Sequence, residues 1–211
     1  MLVAACLGLP GHYLALAGAR CYCVAMQSVC VFLSSAAGTP VSRSVIAALG
    51  QEIAQRGLTL VYGGASIGLM GDLANATLTA GGRVIGVIPS TLVQRELAHQ
   101  GLSELHVVEN MHARKAKMFE LADGFIVAPG GFGTLEEAFE ILTGQQIGVH
   151  TKPTVFLDIE NFWHGLDLFL QHAAQVQVLR AEIYSLFVRS ATPAGALELL
   201  AQPPMVRGFS L

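Results

Sequence analysis

The chain has 211 residues, 53% of them hydrophobic and 13% charged, with a formal net charge of −3 at pH 7. That length suits one domain with a sizeable core, and so little charge suits a sheet buried on both faces. The mildly acidic balance gives no overall footprint for nucleic acid, and no internal repeat or low-complexity tract suggests a solenoid or a disordered chain.

The first 25 residues are apolar, and Arg20 is the first charged side chain. Ala17-Gly18-Ala19 resembles a cleavage site, but no basic region precedes the apolar run. Pro10-Gly11-His12 interrupts that run where a membrane-spanning helix would be continuous. Residues 1–25 read as an upstream extension of doubtful function, from a start codon set too early, with a targeting signal as the alternative. A single domain is expected over 26–211, in the cytoplasm and not in a membrane. Cys6, Cys21, Cys23 and Cys30 match no zinc spacing, and a chain of this size needs no disulfide staples. Cys30 is expected as a small apolar residue of the first strand. None of the seven histidines forms a ligand pair at helical spacing, so no bound metal is expected.

From Met26 onward, apolar runs and helical periods alternate. Ser28 to Leu33 reads as a buried strand ending at Ser34-Ser35. At the carboxyl end of a strand, Ser34 is placed to donate to a nucleotide; a helix-capping role is the alternative. Val41 to Arg56 carries Val45, Ile46, Leu49 and Ile53 at helical spacing, with Gly57 as its stop. Leu58 to Tyr62 is a strand that delivers Gly63 and Gly64. A helix over Leu69 to Ala80 and a strand over Arg83 to Ile88, ended by Pro89, follow. Thr91 to His99 reads as a short helix and Glu104 to Val108 as a strand. Later come a strand over Pro153 to Asp158 and a helix over Phe162 to Val176, with Leu166, Phe169, Leu170 and Ala173 inward. A last strand over Leu186 to Val188 precedes a helix beginning at Pro193. This rhythm predicts βαβ units: an α/β, Rossmann-like, doubly wound and mainly parallel sheet with helices on both faces.

Two segments carry chemistry. In the helix over Met111 to Ala122, Met111, Arg114, Met118, Leu121 and Ala122 share one stripe, so Arg114 interrupts a face that otherwise reads as core. A buried guanidinium must be paired, and its planar fork suits phosphate or carboxylate. Lys115 and Lys117 fall on the solvated face or on a pocket rim. Next, the strand-like Gly124 to Ala128 runs into Pro129-Gly130-Gly131-Phe132-Gly133-Thr134-Leu135-Glu136-Glu137, followed by Leu135, Ala138, Phe139 and Leu142 on one helical face. Strand, glycine turn and helix start together favour an anion such as phosphate. Thr134 and Glu137 fit a capping box. Glu136, Glu137 and Glu140 in one helix suit sugar hydroxyls or a developing cation better than phosphate alone.

The stretch Pro129 to Glu137 resembles the PGGxGTxxE signature of the LONELY GUY family of cytokinin riboside 5′-monophosphate phosphoribohydrolases, also labelled lysine decarboxylase-like. Met111-His112-Ala113-Arg114-Lys115, Val61 to Gly71, Gly82 to Pro89 and Gln146 to His150 resemble further family blocks, in order, between about Gln27 and Leu200. Phe32-Leu33-Ser34-Ser35 replaces the family's C-G-S-S, and Gly144-Gln145-Gln146 departs from the family near a position where an aromatic residue is common, a change that could enlarge or reshape the base pocket or the subunit contact. The resemblance implies hydrolysis of the N-glycosidic bond of AMP or a prenylated AMP, without metal or organic cofactor, by a homodimer. It implies catalytic roles for Arg114 and Glu137, with Glu136 as second choice to Glu137. Gly130, Gly131, Gly133 and Thr134 would hold the 5′-phosphate, with Ser34, Gly63, Gly64, Met111 and Lys115 as further substrate contacts. Arg114 would meet phosphate, base or a carboxylate. Two other readings stand beside it: a nucleotide- or pterin-binding carrier like the molybdenum-cofactor carriers, and a decarboxylase with pyridoxal phosphate on Lys115, Lys117 or Lys152.

Overall fold

Short β-rich runs alternate with helices throughout the described residues, which in this computed structural model are 26–93, 97–180 and 186–202. In chain order these are β1 (Ser28–Phe32), α1 (Pro40–Gln55), β2 (Thr59–Tyr62), α2 (Gly68–Thr79), β3 (Val84–Pro89), α3 (Ser90–Val93) and β4 (Glu104–Val108). Then follow α4 (Met111–Leu121), β5 (Gly124–Val127), α5 (Phe132–Gln146), β6 (Thr154–Leu157), α6 (His164–Gln175), β7 (Val188–Ser190) and α7 (Pro193–Leu200). The strands form one seven-stranded sheet, ordered β4-β3-β2-β1-β5-β6-β7, and every pairing is parallel. The expected Rossmann-like architecture is the one found.

Side chains of a strand alternate between faces, and this alternation sorts the core into two layers. Val29 and Val31 of β1 join Ile46, Leu49, Leu73 and Leu197 in the layer under α1, α2 and α7. Cys30 and Phe32 join Met118, Ala138, Trp163 and Leu170 under α4, α5 and α6. Cys30 is thus a buried free thiol within β1, as its apolar surroundings in the sequence suggest.

Several boundaries differ from the sequence expectation. Pro89 closes β3 from inside, opposite Val108, because an end residue can spare its missing N–H. The helix expected to reach His99 is described only as Ser90–Val93, and Ala98 instead bridges Ala65. The last strand lies two residues later than expected, because Leu186 and Phe187 pack into the core before pairing with β6 begins at Val188. In α6, Leu170 and Ala173 point inward, but Phe169 sits on the flank of that stripe and is 62% exposed. The expectations for residues 1–25 lie outside the described residues. Among the described residues, no helix is long and apolar enough to cross a membrane.

Candidate active site

From β1 and β5, neighbours at the centre of the sheet, the chain winds outward in opposite directions, with α1 following β1 onto one face and α5 following β5 onto the other. The loops leaving their carboxyl ends therefore diverge, and such a switch point opens a ligand crevice. Ser34 lies there: its N–H donates to the Pro129 carbonyl at 3.1 Å, joining the two loops, and its Oγ accepts from the Ala36 N–H at 3.0 Å. It caps no helix. That position at α1 belongs to Thr39, whose Oγ1 accepts from the Ser42 N–H at 3.0 Å.

The glycine turn is tighter than the sequence suggests. α5 begins at Phe132 with Gly131 as its N-cap, and no side chain closes that end. The capping box expected between Thr134 and Glu137 is not formed, because Thr134 already lies within the first turn. The N–H groups of Phe132, Gly133 and Thr134 have no intrahelical partner, the ordinary state of a helix start. Thr134 is 4% exposed and folds back on Gly130; a Cβ at Gly130 would lie 2.1 Å from the Thr134 Oγ1. Gly131 and Gly133 face open space, and between them Phe132 is 93% exposed.

One turn further on, α5 buries Glu137 against Arg114 of α4, at 5% and 6% exposure respectively. The guanidinium donates through Nε to the Val87 carbonyl at 3.1 Å and through Nη2 to the Gly63 carbonyl at 3.2 Å. Its Nη1 lies 3.5 Å from the Glu137 Oε1. Among the three partners open to Arg114 from sequence, the carboxylate is therefore the one it meets here. Gly63 is required by this arrangement, since a Cβ there would fall 1.9 Å from the Arg114 Nη2. Gly64 follows with a left-handed φ of 75°. Burial pushes the Glu137 carboxyl up to about 7, with Arg114 pulling it down and Glu136 adding to the rise. Burial wins because 3.5 Å is long for a charge-assisted contact.

Lys115, expected on a solvated face or rim, bridges α4 to α5 by pairing with Glu136 and, at 2.6 Å, with Glu140. Its hydrogen bonds to Glu136 and then Glu140 raise the ammonium's pKa. Met111, counted on the core stripe, is 42% exposed at the first turn of α4. Phe139 likewise leaves the buried face of α5, which is formed by Thr134, Glu137, Ala138, Ile141 and Leu142.

Lys115, Glu136, Glu137 and Glu140 edge a cleft of about 770 Å³ between α4 and α5, which continues past Phe119 and Phe139 to His150. Sequence reasoning tied the Gly144 region to a base pocket or subunit contact, and Gly144 does line this cleft, but it missed the cleft's extent and the two carbonyl anchors of Arg114. Backbone acceptors leave no side-chain signature; the unusual Gly144 was the one available signal for the cleft. No cluster of three or more His, Cys, Asp or Glu that could hold a metal ion occurs among the described residues.

Residues 70–200 match the family described as possible lysine decarboxylase. The cytokinin riboside 5′-monophosphate phosphoribohydrolase of Rhodococcoides fascians is 49% identical over 150 residues, covering 70% of this chain and 76% of that one. The cytokinin riboside 5′-monophosphate phosphoribohydrolase LOG1 of Arabidopsis thaliana is 45% identical over 150 residues, covering 71% and 70%. Among solved structures, the molybdenum cofactor binding protein of Rippkaea orientalis superposes with a TM-score of 0.64 over 82% of this chain and 94% of that one, at 23% identity, a likeness of fold. With relatives this similar over more than two thirds of their length, and with the glycine turn, Arg114 and Glu137 gathered at one switch point, the chain belongs to the LONELY GUY family of phosphoribohydrolases.

Proposed function

We propose that this protein hydrolyses the N-glycosidic bond of adenine-type nucleoside 5′-monophosphates, AMP or its cytokinin-like derivatives, to free base and ribose 5-phosphate. The observation that carries this reading is the buried Arg114–Glu137 pair, set one helical turn beyond an uncapped, glycine-rich helix start. The free N–H groups of Phe132, Gly133 and Thr134 bind the phosphate, with the helix dipole adding to their pull. Gly130, Gly131 and Ser34 shape that loop, and Gly64 and Met111 border the ribose side. Binding this remote anion positions the bond to be broken.

Breaking that bond builds positive charge on the ribose, which a carboxylate beside it stabilises. Glu137 fills this role and takes the proton of the attacking water, for which a carboxyl near neutrality is well matched. Arg114, fixed by two strand-end carbonyls, holds the carboxylate in place. Lys115 keeps Glu136 and Glu140 at the cleft edge, within reach of the sugar hydroxyls. The reaction needs no cofactor in this scheme.

Chromatography of products after incubation with AMP and a prenylated AMP tests the reading. Free base with ribose 5-phosphate is expected, and no base release from either nucleotide would sink it. The lysines do not favour decarboxylation: Lys115 sits between two carboxylates, and the Lys152 ammonium donates to the Phe119 carbonyl at 2.6 Å. A homodimer belongs to the same proposal, supported by Leu168 and Phe169 standing exposed on α6; light scattering tests it. A cytoplasmic location, supported by the intracellular character of a nucleoside monophosphate, is tested by cell fractionation.

A further inference from the structure

Across β1, β5 and β6, the residues Phe32, Val127 and Phe156 lie in one row. Neighbouring strands stand about 4.8 Å apart, so the ends of β1 and β6 flank the root of the glycine turn on either side. The loop leaving β6 crosses to the far side. Glu160, three residues beyond the end of β6, reaches α1: the Thr39 Oγ1 donates to its Oε2 at 2.5 Å and the Ser42 Oγ at 3.3 Å. A contact between that loop and the helix following β1 must pass over the end of β5, which lies between them. Ile159, next in the chain, packs in the core layer under α1. The Glu160 carboxylate therefore stands beside the root of the glycine turn, on its α1 side.

Capping does not require this carboxylate. Thr39 already closes the start of α1 by accepting from the Ser42 N–H at 3.0 Å. Yet Glu160 and Asn161 both take left-handed backbone, φ 55° and 56°, which disfavours residues with a side chain. The cation in the first turn of α1 is committed elsewhere: Arg43 donates to Asp72 through Nε at 2.8 Å and Nη2 at 3.0 Å. At the start of α2, the Leu69 N–H is taken by the Ala36 carbonyl at 3.0 Å. The first N–H groups of α5 carry no side-chain cap.

The proposed pose gives a direction. The phosphate lies on the start of α5 and the ribose toward Glu137, on the face of α4 and α5. Any further phosphate extends away from the ribose, toward the α1 face, and meets the Glu160 carboxylate. We infer that Glu160 is a specificity-determining residue, whose charge confines the site to a single phosphate and turns away nucleoside di- and triphosphates. This rests on the nucleotide reading above and names the residue that limits the phosphate chain.

Calorimetric Kd values for AMP and ADP test it in the wild type, Glu160→Gln and Glu160→Asp, in EDTA so that no divalent ion screens the phosphates. Glutamine keeps an oxygen for the Thr39 hydroxyl and loses the charge; aspartate keeps the charge and suits left-handed backbone. Because the ADP-to-AMP ratio is taken within each protein, differences in folded fraction cancel. The wild type should bind ADP about 10-fold more weakly than AMP. Glu160→Gln should lower that ratio about 5- to 10-fold, the scale of one charge near a surface, and Glu160→Asp should keep it. Added salt should weaken the exclusion in the wild type and leave the glutamine variant unmoved. Equal Kd values in the wild type overturn the inference. So does a ratio that glutamine and aspartate move alike, which would make the shape of the turn decisive and not its charge. If AMP binds but no base is released, the functional reading fails on its own and the ratio still decides Glu160. If neither nucleotide binds, both fail.

Discussion

Each face of the sheet carries a helix pair with an interior glycine, and the two are put to opposite uses. Gly50 of α1 lets α2 come close: a Cβ there would stand 2.7 Å from the Leu73 carbonyl oxygen and 2.9 Å from the Thr77 Oγ1. Gly144 of α5 faces a cleft and one histidine ring. The first pair is shut, and its missing side chain is filled by a neighbouring backbone. The second is open, lined by carboxylates and aromatics. A helix glycine therefore has no meaning of its own. What stands opposite decides whether it draws two helices together or seats a histidine ring beside a cleft.

If the open face carries chemistry and the shut face stability, substitutions on each should separate the two properties. The largest effect is expected at Glu137. Glu137→Gln should lower kcat/KM by about 10²–10⁴-fold, read from steady-state base release, and near wild-type turnover would remove Glu137 from the mechanism. Stability should move the other way. Because the folded carboxyl is raised from 4.5 to about 7, the native state binds the proton more tightly, and wild-type stability falls as pH rises between those values. Glutamine removes that dependence, so urea midpoints of variant and wild type should draw closer at pH 4 than at pH 8, where the variant gains.

Arg114→Ala comes next and should affect both properties. It strips two buried carbonyls and one carboxylate of their donor, at a cost on the order of 2–4 kcal/mol. Losing the guanidinium also removes the pull that lowers the Glu137 pKa. The acid limb of kcat/KM, expected near pH 7 in the wild type, should shift to higher pH. An unmoved limb would uncouple the pair. On the shut face, Gly50→Leu should cost about 1–3 kcal/mol by overpacking, with activity per folded molecule retained. Smallest is Thr39→Ala, which removes the α1 cap and its 2.5 Å hydrogen bond to Glu160. About 1 kcal/mol by urea denaturation is expected, with turnover untouched.

The sequence carried the architecture because the apolar runs of β1, β2, β3, β5 and β6 each match a buried segment; the partly exposed β4 also lies where expected, at Glu104 to Val108. Its errors have local causes. Thr134 was read as a cap because Thr134 and Glu137 have the spacing of a capping box, yet the first turn needs none of its own N–H groups bonded and already includes Gly133 and Thr134. Ser190 and Arg189 gave no strand signal because β7 is a half-buried edge. Arg114 stood out by interrupting an apolar stripe, and Glu137 by ending the glycine-rich stretch among other acids, which sequence can reveal. That they lie 3.5 Å apart depends on α4 and α5 packing side by side, and no spacing along the chain encodes that.

The tether from Arg114 to the carbonyls of Gly63 and Val87 has a consequence for chains caught halfway to their final shape. The guanidinium finds its seat only once β2, β3 and α4 have docked, and its carboxylate only once α5 has joined them. A nascent or damaged copy lacking any one of these pieces lacks the proposed centre. The proposed activity toward adenine nucleotides is thereby confined to chains that have finished folding.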